Sequence, residues 1–211
     1  STVQQSVLTP EILSRRWGIG LEKAEQTIGV TTHKGMLRSN MPHDRKVRQR
    51  FNQLKFPTIG GKWYTDTSYA SVKSIRGMKC AQVWTNGKGY DVFHPIKAEK
   101  DAHMSLSRFI QDVGIPNLVI SDDSQAQVAG EFGKIASLHH IKRMLTMPYQ
   151  PWQNRAEASI KELKRATIRL MRKHRAPRRT WCYAGEAASR LRRLTANELC
   201  GGRAPEELVT G

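Results

Sequence analysis

Acidic residues are scarce in this chain, and so are cysteines and long apolar runs. Its 211 residues carry 18 Asp and Glu against 35 Lys and Arg, a formal net charge of +17. An excess of that size calls for a polyanionic partner, with nucleic acid first among the candidates. The three cysteines, Cys80, Cys182 and Cys200, are an odd number with no CxxC pair, which argues against a disulfide framework and for a reducing compartment. None of the seven histidines stands in HxxxH spacing followed by two close cysteines, so a four-ligand structural zinc site is not expected. No apolar stretch approaches the roughly 18 residues of a spanning helix. The start at Ser1 lacks a basic flank followed by an apolar signal region. The chain is therefore expected neither to span a membrane nor to be secreted. With 38% apolar residues it is polar for a globular protein, yet its periodic segments exclude wholesale disorder.

What is present divides into four stretches. Residues 1–32 read as two short helices at an angle. Thr9 is placed as an N-cap before Pro10, Leu8, Ile12, Leu13 and Trp17 share one face, and Leu21, Ala24 and Ile28 form a second stripe after Gly18 and Gly20. A helix-turn-helix would set the second helix in a DNA groove, but Glu22 and Glu25 on it would face phosphates badly, so packing or protein contact outweighs base reading. Residues 33–60 form a basic linker, with seven cations opposed by Asp44 alone between His33 and Pro57. Residues 61–194 hold the main domain and 195–211 a C-terminal tail.

Within the main domain, WYTDTSYA and MKCAQVWTNGKGYDVFHPI predict three antiparallel strands with Asn86-Gly87 as a turn. An amphipathic helix is expected over Lys100–Val113, a buried strand over Asn117–Ser121, a helix near Glu131–His139 and a strand over Ile141–Leu145. A long helix from about Asn154 to Lys173 and a last one over Trp181–Leu194 complete the series. Three strands, helix, strand, helix, strand, helix, helix is the ribonuclease H-like order. The expected fold is therefore α/β, a five-stranded mixed sheet behind a small helical N-terminal segment.

Such an order gathers acids from strand ends and from a facing helix. Asp66 lies in the first strand, Asp122 ends the fourth, and Glu157 opens the long helix. Each alone is an ordinary edge, cap or surface residue. Three convergent carboxylates, however, need a compensating cation, and hard oxygen ligands favour Mg²⁺ with Mn²⁺ as a substitute. The chemistry that suits them is phosphoryl transfer through two metals about 3.5 to 4 Å apart, acting on the attacking and leaving oxygens. Lys161 and Lys164 follow Glu157 by four and seven positions and so share its face. Arg165, Arg169 and further cations continue the charge along the helix, opposed, apart from Glu157 itself, only by Glu162, which calls for an anion.

Together the segments YTDTSY, VISDD followed by GEFGK, and MPYQPWQNRAEASIKELKRA resemble the catalytic core of retroviral and LTR-retrotransposon integrases, closest to copia-like elements, over about residues 61–194. The resemblance implies that Asp66, Asp122 and Glu157 bind the metals and that Lys161 and Lys164 contact the element's DNA ends. It also implies that Tyr149 to Asn154 form a mobile loop, with Gln153 and Asn154 near the DNA end. The implied activity is 3′-end trimming by activated water, then attack of the new 3′ hydroxyl on target DNA, with no covalent enzyme intermediate. Implied too are DNA partners, RNA as a further candidate, a homo-oligomer, and a nuclear or virus-like-particle location.

Several features depart from the family's pattern. Glu157 stands 35 positions after Asp122, one short of the usual spacing, and Asp123 adds a second acid beside Asp122. The family's N-terminal zinc module is missing, its place taken by the helix pair, and no small β-barrel follows the core, as expected of a piece of a longer polyprotein. An alternative reading is a domesticated or truncated relative that binds nucleic acid, or scaffolds a ribonucleoprotein, without cutting. A plain ribonuclease H-like nuclease is a third.

Overall fold

The computed structural model describes residues 8–30, 58–121, 129–145 and 155–210. Among them lie seven α-helices and five strands: α1 (Pro10–Trp17), α2 (Leu21–Val30), β1 (Thr58–Tyr69), β2 (Cys80–Thr85), β3 (Asp91–Ile96), α3 (Ala102–Asp112), β4 (Ile115–Ser121), α4 (Ala129–Leu138), β5 (Lys142–Leu145), α5 (Arg155–Lys173), α6 (Trp181–Leu194) and α7 (Pro205–Thr210). No described helix is long and apolar enough to cross a membrane.

The five strands form one sheet in the order β3-β2-β1-β4-β5. β1, β2 and β3 pair antiparallel, whereas β4 runs parallel to β1 and β5 parallel to β4, so the sheet is mixed as expected. Residues directly opposite one another share a face. Asp66 faces Val83 across the β1–β2 ladder, and Val83 in turn faces Phe93 on β3. On the other face, Trp63, Trp84 and Val92 pack with Leu106, Phe109 and Ile110 of α3 and with Phe132 and Ala136 of α4. Trp84 stacks on Phe109 at 4.7 Å between ring centres, and Trp63 meets the same ring edge-on at 4.9 Å. Burying aromatic rings in this way adds apolar stabilisation to the fold.

The opposite face is covered by α5 and α6. α5 buries Ala156, Ile160, Leu163 and Thr167, a stripe at helical spacing, against Ala81, Val83 and Phe93. α6 lies over β3 at a point where only glycine fits. A Cβ on Gly185 would come within 2.3 Å of the Phe93 ring. β3 is accordingly buried along its whole length and carries Pro95, while the other edge strand, β5, is four residues long, exposed throughout, and includes Lys142 and Arg143.

The sequence reading differs from the structure at three local points. β1 begins at Thr58, three residues before Gly61, because a register shift between Ile59 and Lys62 absorbs the Gly60-Gly61 pair as a bulge, Gly61 taking φ 91°. The β2–β3 turn is not a two-residue Asn-Gly hairpin but spans residues 86–90, since the Asn86 side chain accepts from the backbone N–H groups of Lys88 (2.8 Å) and Tyr90 (3.2 Å) and holds a wider loop. The 195–211 stretch is not featureless: a capped turn at Glu198–Cys200 and α7 pack back on the core.

Thr9 caps α1 by accepting from the Ile12 N–H, and Gly18 ends it in the left-handed region. The pair of N-terminal helices packs onto the core. The Lys173 ammonium donates to the carbonyls of Arg15 and Arg16, and the Thr27 hydroxyl accepts from the Ala196 N–H at 3.0 Å.

Candidate active site

β1 presents Asp66 on the face that α5 crosses. The residue is half-buried, and its Oδ1 accepts from the Thr67 N–H at 2.6 Å. Thr67 itself points to the other face, where its hydroxyl donates to Gln82 Oε1 at 3.0 Å. The strand therefore fixes the aspartate through its own backbone, on the face that α5 covers.

Glu157 comes to the same side of the sheet on the first turn of α5. Two contacts set where that helix starts. The Ser159 hydroxyl donates to the Thr85 hydroxyl at 3.1 Å, tying the first turn over the end of β2. The Arg155 side chain lies against Gly87, where a Cβ would sit 2.6 Å from its Cδ. With Ala156 and Ile160 buried on either side, Glu157 is left exposed at the helix N-terminus, where a carboxylate is favoured by the helix dipole.

β4 runs parallel beside β1 and brings Ser121 opposite Thr65, the residue before Asp66. Asp122, the third expected acid, lies outside the described residues, as do Asp123, Gln153, Asn154 and the rest of the expected loop from Tyr149. Among the described residues no three His, Cys, Asp or Glu side chains form a metal-ligand group. Asp66 and Glu157 supply hard carboxylate oxygens on one side of the sheet, the donor type a hard divalent cation takes.

The four cations singled out from the sequence are all exposed on α5, but they do not act as one patch. Lys161 and Lys164 follow Glu157 along the helix. Arg165 shares its charge with Glu162, its guanidinium 2.8 Å from the carboxylate. Arg169 turns to another flank, into a cleft that it lines with Trp17, Lys173 and Arg192. Tyr69, three residues past Asp66, donates to the Glu99 carboxylate. That bond, with desolvation and nearby acids, pushes its hydroxyl up to about 12, so the phenol stays protonated at neutral pH.

The sequence matches no protein-family model and no curated protein. Its fold matches solved structures. The HTLV-2 integrase catalytic core domain, solved in complex with magnesium in a trimeric form, aligns with a TM-score of 0.55 at 18% identity over 71% of this chain and 95% of that one. The chain has the fold of a retroviral integrase catalytic core. The BIV integrase core aligns with a TM-score of 0.50, again at 18% identity, over 71% of this chain and 93% of that one. The ribonuclease H-like architecture read from the sequence is thus the architecture found, and the likeness is one of fold.

Sequence reading gives no sign that Phe93 neighbours the candidate site, and it reads Arg178 and Arg179 before Trp181 as a helix entry with some phosphate affinity. The structure brings Phe93 and Arg178 to a groove beside the end of β1, together with Arg172, Arg175 and Trp181. A period in the sequence ties Arg172 to α5, but no local signal ties it to β3.

Proposed function

We propose that the chain is the catalytic core of a retroelement integrase, trimming the 3′ ends of element DNA and joining them to target DNA. The observation that supports this reading is the integrase-core fold, with Asp66 on the face of the sheet that α5 covers and Glu157 on the first turn of that helix.

In this reading Asp66, Glu157 and Asp122 hold Mg²⁺, with Mn²⁺ as a substitute. The bound metals would activate water or a 3′ hydroxyl and stabilise the oxygens of an in-line displacement. Asp66 keeps its orientation through the Thr67 N–H, so the ligand is fixed before substrate arrives. Lys161 and Lys164, exposed beyond Glu157, hold the phosphates of the DNA end, and Gln153 and Asn154 contact that end as well. Arg165 and Arg169 add charge along the flanks of the same helix. Tyr69 takes no proton, because its hydroxyl is already committed to Glu99. DNA ends and target DNA are the partners, and joining two ends in concert requires more than one copy of the chain. Three buried, unpaired cysteines go with an intracellular setting, in the nucleus or a virus-like particle.

The test is strand transfer of a labelled DNA end in Mg²⁺, the chain against Glu157→Gln. Losing one carboxylate should lower transfer by at least about 100-fold, since metal activation contributes several kcal/mol. Equal transfer by both proteins refutes the reading. No transfer from either, with nucleic-acid binding kept by both, points to the non-catalytic scaffold instead.

A further inference from the structure

The line of Glu157, Lys161 and Lys164 does not end at the candidate active site. It runs on through Ile168 and Arg172 to Arg175, which closes α5 in a left-handed backbone at φ 48°. Beside this line opens a groove of about 700 Å³, walled by the chain from Ser68 to Val72, the last turns of α5 and the first turn of α6. Ser68 stands two residues past Asp66 on the same face of β1, so the groove is continuous with the acid-bearing side of the sheet.

The groove has two chemistries. Its floor is aromatic: Trp181 meets Phe93 edge-on at 6.2 Å, and both rings are fixed. The Trp181 indole N–H donates to the Val72 carbonyl at 2.8 Å, and Phe93 is held by the close approach of Gly185. Its rim is cationic, with Lys164, Arg172, Arg175 and Arg178 and no Asp or Glu among the lining residues. Four like charges around one groove repel one another unless an anion lies between them. A small inorganic anion would leave the aromatic floor unused, and a fully paired duplex would offer it no base. The ligand that uses both is a strand with consecutive phosphates and an unpaired ring.

We propose that this groove binds a single-stranded stretch of nucleic acid, one unpaired base resting on the Phe93–Trp181 floor while Arg172, Arg175 and Arg178 take the flanking phosphates. The inference shares with the proposed function only the premise that the chain works on nucleic acid; it requires neither acid nor metal. Stacking is sequence-tolerant, so the groove selects for an unpaired strand rather than for a sequence.

The experiment is fluorescence anisotropy with a labelled dT 12-mer, the same 12-mer made abasic, an rU 12-mer and a poly-glutamate peptide, all in EDTA so that transfer chemistry plays no part. The dT strand should bind about tenfold tighter than its abasic form. Ile168→Trp, made at a half-exposed position and checked by its melting temperature, should fill the groove and erase that preference. The Arg175→Ala, Arg178→Ala double variant should reduce the dependence of log affinity on log salt by about 1.4, at roughly 0.7 per phosphate contact for single strands. Preference for the DNA or the RNA strand supports the inference and says which polymer the groove takes. Equal binding of dT and abasic strands, a preference that survives Ile168→Trp, an unchanged salt slope, or a peptide that binds as well as the strands overturns it. Since no metal is present, a failure here leaves the transfer test standing, and a failed transfer test leaves this one standing.

Discussion

Mild acid should weaken this fold through His94. The residue sits in β3 at 3% exposure, its Nδ1 2.9 Å from the Ser105 hydroxyl, which also accepts the Trp84 indole N–H at 2.8 Å. A neutral imidazole that accepts the Ser105 proton satisfies all three groups. Burial first, and next the charge of Arg108, bring the His94 pKa down from 6.5 to about 3. The Asp112 carboxylate lies 4.0 Å from Nε2, but it is half-exposed and shared with Arg108 at 3.3 Å, so it does not restore the charge. With the folded value below the unfolded one, the unfolded chain takes up the proton first. Stability is then complete above about pH 6.5 and is lost as the pH falls from there toward 3. Between pH 6.5 and 5 the loss is about 2 kcal/mol at 1.36 kcal/mol per unit. For a chain of this length that lowers the melting temperature by about 4 to 8 °C. Thermal melts at pH 7, 6 and 5 should be run on the chain and on His94→Gln, which can still bond Ser105 but cannot titrate. Parallel declines in the two proteins would refute the assignment of the loss to His94.

Two substitutions probe the contacts that hold α6 on the sheet. Asp91 has a fully buried carboxylate 2.7 Å from the Arg192 Nε, so Arg192→Met should cost about 3 kcal/mol in urea unfolding, and adding Asp91→Asn should recover much of it. No recovery in the double variant would show that the pair is not coupled. Gly185→Ala should cost about 1 to 3 kcal/mol, because the Phe93 ring must shift to admit the methyl group, and Phe93→Leu in the same protein should reduce that cost.

Periodicity read the long elements well and the short ones poorly. α6 occupies the predicted span from Trp181 to Leu194, and α5 begins one residue from its predicted start, because both carry an apolar stripe several turns long. The stretch after Thr195 was read as tail, since three-residue and six-residue helices are too short to show a period. The first residues of β1 were hidden by Gly60 and Gly61, a pair that reads as a break but serves as a bulge. At the candidate site, Asp66 and Glu157 stand out in the sequence as candidates because a polar residue inside a strand and an acid opening a helix are locally conspicuous. Their common face follows only from the ladder that sets Asp66 across from Val83. The groove was invisible to local reading: its walls come from β1, β3, α5 and α6, and each contributes residues that look ordinary in their own segment.

The two sheet margins are closed to newcomers by different means. β3 is sealed under α6 and interrupted by Pro95, which has no N–H to offer, and β5 is brief and carries Lys142 and Arg143 outward. Neither border gives another polypeptide a template for strand addition. Among the described residues, the surface left for contact with another copy is therefore helical, and the sheet is guarded against growing into ribbons.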